Sequence, residues 1–181
     1  MRDIAIIGRA RSGKDSVGAR LVQRYGYTRL AFADPLKDMA LEINPVIPTV
    51  TGVHVRLAPL VEAVGWEYAK DTYPEVRRIL QHVGQSVRDR DPDYWIRALT
   101  RTAVELEGGP IVVTDVRYPN EAMALSRLGF RLVRVIRPAL GDPSPDAHES
   151  ETALDDQPIG VTIVNGSTLE ELYAHADSIA L

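Results

Sequence analysis

Residues 4–17 read IAIIGRARSGKDSV, an apolar run followed by a glycine-rich turn and then by helical spacing. The run 4–7 is apolar without alternation, which predicts a parallel strand buried on both faces. The turn keeps Gly8, Gly13 and Lys14 at the spacing G-x-x-x-x-G-K-S/T, in which backbone N–H groups turn inward on phosphate and the lysine adds a positive charge. A helix beginning near Gly13 adds the positive end of its dipole. The stretch therefore predicts a phosphate-binding loop between a strand and a helix, with Arg11, Ser12 and Ser16 inside it.

The residue after Lys14 departs from this pattern. Asp15 stands where a hydroxyl normally ligates magnesium, and Ser16 follows one step later. A carboxylate can ligate magnesium through its own oxygen or through a bound water, whereas Ser16 substitutes only if the helix start shifts. The strand before the loop and the amphipathic helix after it favour a phosphate loop over an ordinary glycine turn.

Strand-like and helical segments alternate along the rest of the chain. Four further β-rich runs cover residues 29–33, 111–114, 131–136 and 161–164, and helical spacing fills the segments between them. One helix is expected to stop at Gly129, and the last one has Ser167 or Thr168 as its N-cap. This alternation predicts an α/β fold with a five-stranded parallel sheet.

Length and local composition predict a single domain over residues 1–181 with two irregular stretches. Residues 44–59 carry prolines and a glycine and are predicted to be an irregular loop that leads into a helical insertion over about 44–71. Residues 138–158 form a long polar loop with four prolines. A loop of that kind is more often a functional lid than a plain connection, although a solvated surface excursion is the alternative.

The bulk composition excludes several classes of function. The formal net charge is −4, so no overall basic field attracts a nucleic-acid polymer. The absence of cysteine excludes disulfides, thiolate nucleophiles and zinc–thiolate sites. No apolar run approaches the roughly 18 residues that a membrane helix needs, and a strand at residue 4 leaves no room for a signal peptide. We therefore expect a cytoplasmic protein with no membrane partner.

A second acidic position and several arginines complete the candidate site. Asp115 follows the run 111–114, the arrangement in which a strand-end carboxylate holds Mg²⁺. Arginine suits phosphate because its planar fork makes bidentate contacts. Four arginines are predicted to face the site from loops: Arg11, Arg88, Arg117 and Arg137.

Asp34 and Trp95 each allow two interpretations. Asp34 precedes Pro35 and suits a helix N-cap, a role that needs no function, yet the end of a strand also suits contact with an acceptor. Trp95 could stack on a base, but an aromatic residue at helical spacing is more often part of the core, which we favour.

Together, several motifs resemble those of the phage-type deoxynucleoside monophosphate kinases. The most specific are RSGKD at 11–15 and DVRYPNE at 115–121, and the others are FADPLK at 32–37, LQxxG at 80–84, DPDYW at 91–95, HxSE at 148–151 and VN at 164–165. The resemblance runs from Ile4 to about Leu172. Asp15 is similar to that family's usual residue, so the departure from the phosphate-loop pattern supports the resemblance.

The resemblance implies a P-loop NTPase three-layer fold with a helical acceptor-binding insertion and a lid. It implies transfer of the γ-phosphate of ATP to a dNMP with Mg²⁺, in the host cytoplasm if the chain is phage-encoded, and it leaves a homodimer open. By position, Gly8 to Ser16 would hold the ATP phosphates, Arg137 would reach the transferring phosphoryl group, and Asp115, Asp15 and Ser16 would hold the metal. The acceptor nucleotide would lie near Asp34, Lys37, Gln81, Arg88, Trp95, Arg117 and Glu121.

Two other functions stay open. One is a P-loop kinase for another small phosphorylated acceptor, such as phosphomevalonate or dephospho-coenzyme A. The other is a non-catalytic regulatory module that binds a nucleotide, hydrolyses it slowly and signals through motion of the lid.

Overall fold

The computed structural model describes residues 1–49, 52–106, 108–141 and 149–180. Its strands and helices begin with the strand and helix that flank the glycine-rich turn. In chain order the elements are β1 Ile4–Ile7, α1 Lys14–Tyr25, β2 Thr28–Leu30, α2 Ala33–Ile43, β3 Val46–Pro48, β4 His54–Arg56, α3 Leu57–Thr72, α4 Pro74–Arg90, α5 Tyr94–Glu105, β5 Ile111–Val116, α6 Pro119–Arg127, β6 Arg131–Ile136, β7 Val161–Val164 and α7 Leu169–Ala180.

Five of these strands form one parallel sheet in the order β2-β5-β1-β6-β7, which confirms the predicted α/β fold. The strand that carries the phosphate loop is central, between β5 and β6. All four residues of β1 are buried, which explains its unbroken apolar sequence. Because the strands are parallel, their carboxyl ends share one edge, and β1, β5 and β6 deliver the loop, Asp115 and Arg137 to that edge.

Two strand boundaries differ from the prediction. The strand β2 ends at Leu30 because α2 already begins at Ala33. Asp34 therefore lies in the first turn of α2 rather than at its N-cap. The strand β5 continues to Val116, so Asp115 lies within the strand.

The chain divides into two compact units, of which the first comprises Met1–Phe32 and Leu99–Leu181. Its core packs α1 and α7 against the sheet, with Val17 and Leu21 from α1 and Leu172 and Ala176 from α7 all buried. Of the two predicted N-caps of α7, Ser167 and Thr168, the structure uses Thr168, whose Oγ1 accepts a hydrogen bond from the Glu171 N–H at 3.3 Å.

The second unit, Ala33–Ala98, has a core of its own. Residues 44–59, predicted to be irregular, include the antiparallel pair β3–β4, in which Ile47 is fully buried between exposed neighbours. This alternation within a three-residue strand is too short to be recognised between two prolines. The predicted insertion, residues 44–71, lies inside this unit, and the single domain over 1–181 stays a prediction.

Part of the predicted lid lies outside the described residues, namely 142–148 with His148. The described parts are the short 3₁₀ helices Pro138–Leu140 and Glu149–Glu151 and the turns after the second one. Within the described ranges, no helix is both long enough and apolar enough to cross a membrane.

Candidate active site

The phosphate loop requires glycine at two positions for different reasons. A β-carbon on Gly8 would lie 2.6 Å from Ser12 Oγ and 2.8 Å from the Val135 carbonyl oxygen, so only glycine fits between the loop and β6. Gly13 is the N-cap of α1 and has a φ of 102°, a left-handed conformation that side chains disfavour. The loop thus closes tightly and leads directly into the helix N-terminus, as a phosphate site requires.

An asparagine that follows β7 secures the loop from the other side. Asn165 Nδ2 donates to the Ser12 carbonyl oxygen at 2.9 Å. Ser12 Oγ is buried and has no hydrogen-bond partner among the described residues. A buried hydroxyl inside a cradle of backbone N–H groups fits the oxygen atoms of a phosphate group. Next to this contact, a cavity of 270 Å³ is lined by Asn165 and Thr168 of the β7–α7 connection and by His175 of α7.

The first turn of α1 carries the predicted lysine and two of the predicted metal ligands. Lys14 is 6% exposed, and its Nζ lies 3.5 Å from Asp15 Oδ2. The Asp15 side chain is 78% exposed, whereas Ser16 is half-buried. Among the described residues, no three His, Cys, Asp or Glu side chains are close enough to hold a metal by themselves.

Asp115 lies on the strand next to the phosphate loop. Its Oδ1 accepts the Phe32 N–H at 2.8 Å, which ties the end of β5 to the segment after β2. Carboxylate and hydroxyl oxygens are ligands that Mg²⁺ prefers, and it completes its shell with water and substrate phosphates. Asp115, Asp15 and Ser16 therefore have the donor chemistry for Mg²⁺.

Two glutamates position Arg117. Glu121, 2% exposed, accepts the N–H groups of Arg117 at 2.9 Å and of Tyr118 at 3.1 Å, so it fixes the backbone where β5 turns into α6. Glu151 Oε1 accepts from Arg117 Nη1 at 2.5 Å, and Glu151 Oε2 accepts the Ala10 N–H of the phosphate loop at 2.8 Å. One carboxylate thus joins Arg117 to the loop.

The pKa values of this ion pair follow from its surroundings. Burial lowers the pKa of Arg117, but the hydrogen bond and charge of Glu151 and the charges of Asp115 and Glu121 together outweigh burial, and the pKa is raised above its ordinary value. Burial raises the pKa of Glu151, but the Ala10 N–H, Arg117 and Lys14 together hold it below its ordinary value. Both groups are therefore charged at neutral pH.

Arginines line a cavity of 430 Å³ beside the loop. Arg9, Arg117, Arg134 and Arg137 contribute to its wall, together with Glu151 and Asp155. The exposed Arg137 follows β6, as predicted. The structure thus brings Gly8, Ser12, Arg117 and Arg137 to one cavity. Arg11 is exposed in the loop, with a φ of 63°, a strained value for a residue that is not glycine.

The remaining predicted site residues belong to the second unit. In α2, Lys37 Nζ lies 3.7 Å from Asp34 Oδ1. In α4, Gln81 is exposed and Arg88 is half-buried. The prediction that Arg88 lies in a loop is wrong, because α4 continues to Arg90. Trp95 is 2% exposed, and its indole N–H donates to the Gly84 carbonyl at 3.2 Å, which is the geometry of a core side chain.

The sequence patterns indicate no role for Glu151, Asn165 or Asp155. Arg9 is predicted only as part of the phosphate loop, and in the structure it pairs with Asp155 beside the loop. The motifs HxSE and VN were the available signals for Glu151 and Asn165. Neither motif states which loop its side chain contacts.

The chain was compared with known protein families, and a family model described as "Deoxynucleotide monophosphate kinase" matches residues 50–176. The matched region contains Asp115, Arg117 and Glu151 but not the phosphate loop. The loop therefore supports a nucleotide site independently of the family match.

Comparison with individual proteins found several viral relatives. "Uncharacterized protein ORF77" of Ictalurid herpesvirus 1 is 35% identical over 78% of this chain and 65% of its own length. A "Putative deoxynucleotide monophosphate kinase" of Acanthamoeba polyphaga mimivirus is 27% identical over 94% of this chain and 92% of its own. The "Deoxynucleotide monophosphate kinase" of Enterobacteria phage T4 is 29% identical over 55% of this chain and 42% of its own.

Among solved structures, a "putative kinase" from Chloroflexus aurantiacus covers 98% of this chain and 94% of its own, with 13% identity and a TM-score of 0.45. A likeness of that degree carries no argument about function. The chain spans about two thirds of the herpesvirus protein and less than half of the phage protein. The family model, however, matches well over half of the chain, and this chain belongs to the deoxynucleotide monophosphate kinase family, a family of phosphotransferases.

Proposed function

We propose that this chain transfers the γ-phosphate of ATP directly to a deoxynucleoside monophosphate, giving ADP and a deoxynucleoside diphosphate. The observation that carries the proposal is the bridge between Arg117 and the Ala10 N–H through one carboxylate. The Arg117 guanidinium and the Ala10 N–H contact the two oxygens of one carboxylate, so both donors point toward the same small anion. An arginine and a phosphate loop that converge in this way are suited to a phosphoryl group in transfer.

On this proposal the donor phosphates bind along the loop. Backbone N–H groups from Gly8 to Ser16 and the N-terminus of α1 hold them, and Lys14 adds a positive charge. Arg117, Arg137 and Arg11 neutralise the charge on the moving phosphoryl group. No covalent intermediate is needed, since positioning and charge neutralisation perform most of such a transfer.

Asp115, with Asp15 or Ser16, would hold Mg²⁺, which when bound neutralises charge between neighbouring phosphates. The residues that would hold it supply oxygen donors only. The Asp15 carboxylate is exposed to solvent, and its Oδ2 already lies 3.5 Å from Lys14 Nζ. A contact with Mg²⁺ through a bound water therefore suits Asp15 better than a direct one.

In the second unit, Asp34 and Lys37 of α2 and Gln81 and Arg88 of α4 are proposed to contact the acceptor nucleotide. In the first unit, Arg117 is a proposed acceptor contact, and the buried Glu121 is proposed to act by fixing the Arg117 backbone. Gln81, Gly84 and Arg88 are spaced to share one face of α4. Trp95, which the resemblance assigns to the acceptor, is proposed to act by supporting α4 through the Gly84 carbonyl.

The test is ADP formation in a coupled assay with each dNMP, each ribonucleoside monophosphate, phosphomevalonate and dephospho-coenzyme A as acceptor. We expect dNMPs to stimulate ADP formation, and we expect Lys14→Ala to reduce that rate by about a hundredfold or more. Lys70→Ala is the matched control, since Lys70 lies in the second unit and pairs with Glu67. A wild-type protein that no dNMP stimulates, or a folded Lys14→Ala variant with an unchanged rate, contradicts the proposal.

A further inference from the structure

The carboxylate of Glu151 uses both of its oxygens on donors of the proposed phosphoryl site. Oε2 accepts the Ala10 N–H at 2.8 Å, and Oε1 accepts from Arg117. Lys14 also acts on it, because its charge contributes to the lowered pKa of Glu151. Glu151 is therefore an anion that is held by the cationic groups proposed for the substrate.

A phosphoryl oxygen and this carboxylate cannot use the Ala10 N–H at the same time. A backbone amide has one hydrogen, and Glu151 accepts it at an ordinary hydrogen-bond distance. Any phosphate group that binds the loop at Ala10 must therefore displace Glu151 from it. The exchange replaces one anionic acceptor by another, so the Ala10 N–H and the Arg117 guanidinium each keep a negatively charged hydrogen-bond partner.

Two sets of backbone hydrogen bonds hold the segment that carries Glu151, one within the turn around Glu151 and one from Arg134 to the residues that follow. Its first part, the Glu151 turn (residues 149–153), is closed by the N–H groups of Thr152 and Ala153, which both donate to the Glu149 carbonyl. Residues 154–157 that follow are held by Arg134, which donates to three backbone carbonyls, those of Leu154, Asp155 and Gln157. Leu154 is 5% exposed.

We propose that Glu151 is a displaceable carboxylate that occupies the binding position of the terminal phosphoryl group of the donor and leaves when a nucleoside triphosphate binds. The assignment to the terminal phosphoryl group rests on the proposed function, in which Arg117 contacts the group in transfer. The Glu151 turn moves while Arg134 keeps residues 154–157 on β6. A nucleoside diphosphate lacks the group that competes with Glu151, so Glu151 keeps its contacts with Ala10 and Arg117 when a diphosphate binds.

The test is calorimetric binding of ATP and of ADP to the wild type, to Glu151→Gln and to the control Glu149→Gln. Glu149 belongs to the same turn, is exposed and carries the same charge. The amide of Glu151→Gln removes the competing negative charge, so we expect ATP to bind about tenfold more tightly. ADP affinity is expected to change less than about twofold, and Glu149→Gln to change neither.

An ATP affinity of Glu151→Gln that equals the wild-type value, or falls below it, overturns the proposal. Equal gains for ATP and ADP also overturn it, because the competition would then not be with the terminal phosphoryl group. The result is separable from the proposed function: affinity is measured without an acceptor, and failure of dNMP phosphorylation leaves the binding comparison intact.

Amide hydrogen exchange on the wild type provides a second measurement that needs no variant. With saturating ATP, the amides of Thr152 and Ala153 are expected to exchange faster than with saturating ADP. Without its contacts to Ala10 and Arg117 the Glu151 turn is less restrained, so the hydrogen bonds of these amides to the Glu149 carbonyl open more often. The amides of residues 154–157 are expected to keep their exchange rates. Slower exchange of Thr152 and Ala153 in ATP than in ADP contradicts the proposal.

Discussion

Replacement of Gly8 by alanine tests how closely the phosphate loop is fitted to the sheet. The new β-carbon would lie 2.6 Å from Ser12 Oγ and 2.8 Å from the Val135 carbonyl oxygen. Ser12 Oγ can rotate away, but the Val135 carbonyl belongs to β6, which is held between β1 and β7 in the sheet. The strain must therefore move the loop or the strand.

Overpacking of this kind costs about 1–3 kcal/mol, and we expect Gly8→Ala to lower the free energy of unfolding by about 2 kcal/mol. For a chain of this size the midpoint temperature falls by roughly 4–8 °C. A loop shifted by about an ångström also loses its geometry toward phosphate, so the transfer rate is expected to fall by about a hundredfold.

Urea unfolding measures the stability, and the coupled ADP assay measures the rate. Gly160→Ala is the matched control, because a β-carbon there meets no atom within 4 Å and the residue has no positive φ. The double variant Gly8→Ala with Ser12→Ala separates the two contacts of the new β-carbon. Ser12→Ala removes the hydroxyl but leaves the Val135 carbonyl oxygen in place. If Gly8→Ala is as stable as Gly160→Ala, or if the double variant is fully restored, the reasoning from the Val135 carbonyl is wrong.

Three further changes test other contacts. Asn165→Ala removes the hydrogen bond to the Ser12 carbonyl and is expected to lower the free energy of unfolding by about 1 kcal/mol and to weaken ATP binding in calorimetry. The control Thr168→Ala removes only the α7 cap, so it is expected to lose similar stability and to keep its ATP affinity. Arg117→Lys loses the planar fork and is expected to lower kcat/KM by about a hundredfold in the ADP assay, while Arg78→Lys, at an exposed pair with Glu75, leaves it unchanged. The pKa of Glu151 is lowered from an ordinary value of 4.5, so the stability that its carboxylate contributes is complete above that pH and is lost as the pH falls through the folded-state pKa. In urea titrations at several pH values, the unfolding free energies of the wild type and of Glu151→Gln should therefore converge in acid. A difference that is the same at every pH would contradict this.

The parts of the fold that local sequence determines were predictable. The loop spacing of Gly8, Gly13 and Lys14 lies within seven residues, and the structure has the predicted strand before it and helix after it. The cap at Thr168 is also local, because its partner N–H is three residues away. Hydrophobic periodicity and helix capping relate residues only a few positions apart, so they can be recognised in a single sequence.

The individual side-chain contacts between distant residues were not predictable. The contact of Glu151 with Ala10 spans 141 residues, and that of Asn165 with Ser12 spans 153. No periodicity or cap relates residues so far apart in the sequence. The division into two units is of the same kind, since the second core depends on contacts among α2, α3 and α4 rather than on any one segment.

The two glutamates that position Arg117 differ in what they bind, and this difference indicates which one can move. Glu121 is 2% exposed and accepts N–H groups three and four residues away, at the start of its own helix. Its loss would remove an acceptor from the buried Tyr118 N–H and from the half-buried Arg117 N–H. Glu151 is 25% exposed at its side chain and accepts from groups that a phosphate could satisfy equally well. Displacing Glu151 therefore leaves no donor unpaired once phosphate is bound, whereas displacing Glu121 would. The buried Glu121 fixes the backbone position of Arg117, and Glu151 is the one that would compete with a phosphoryl group for the Arg117 guanidinium and the Ala10 N–H.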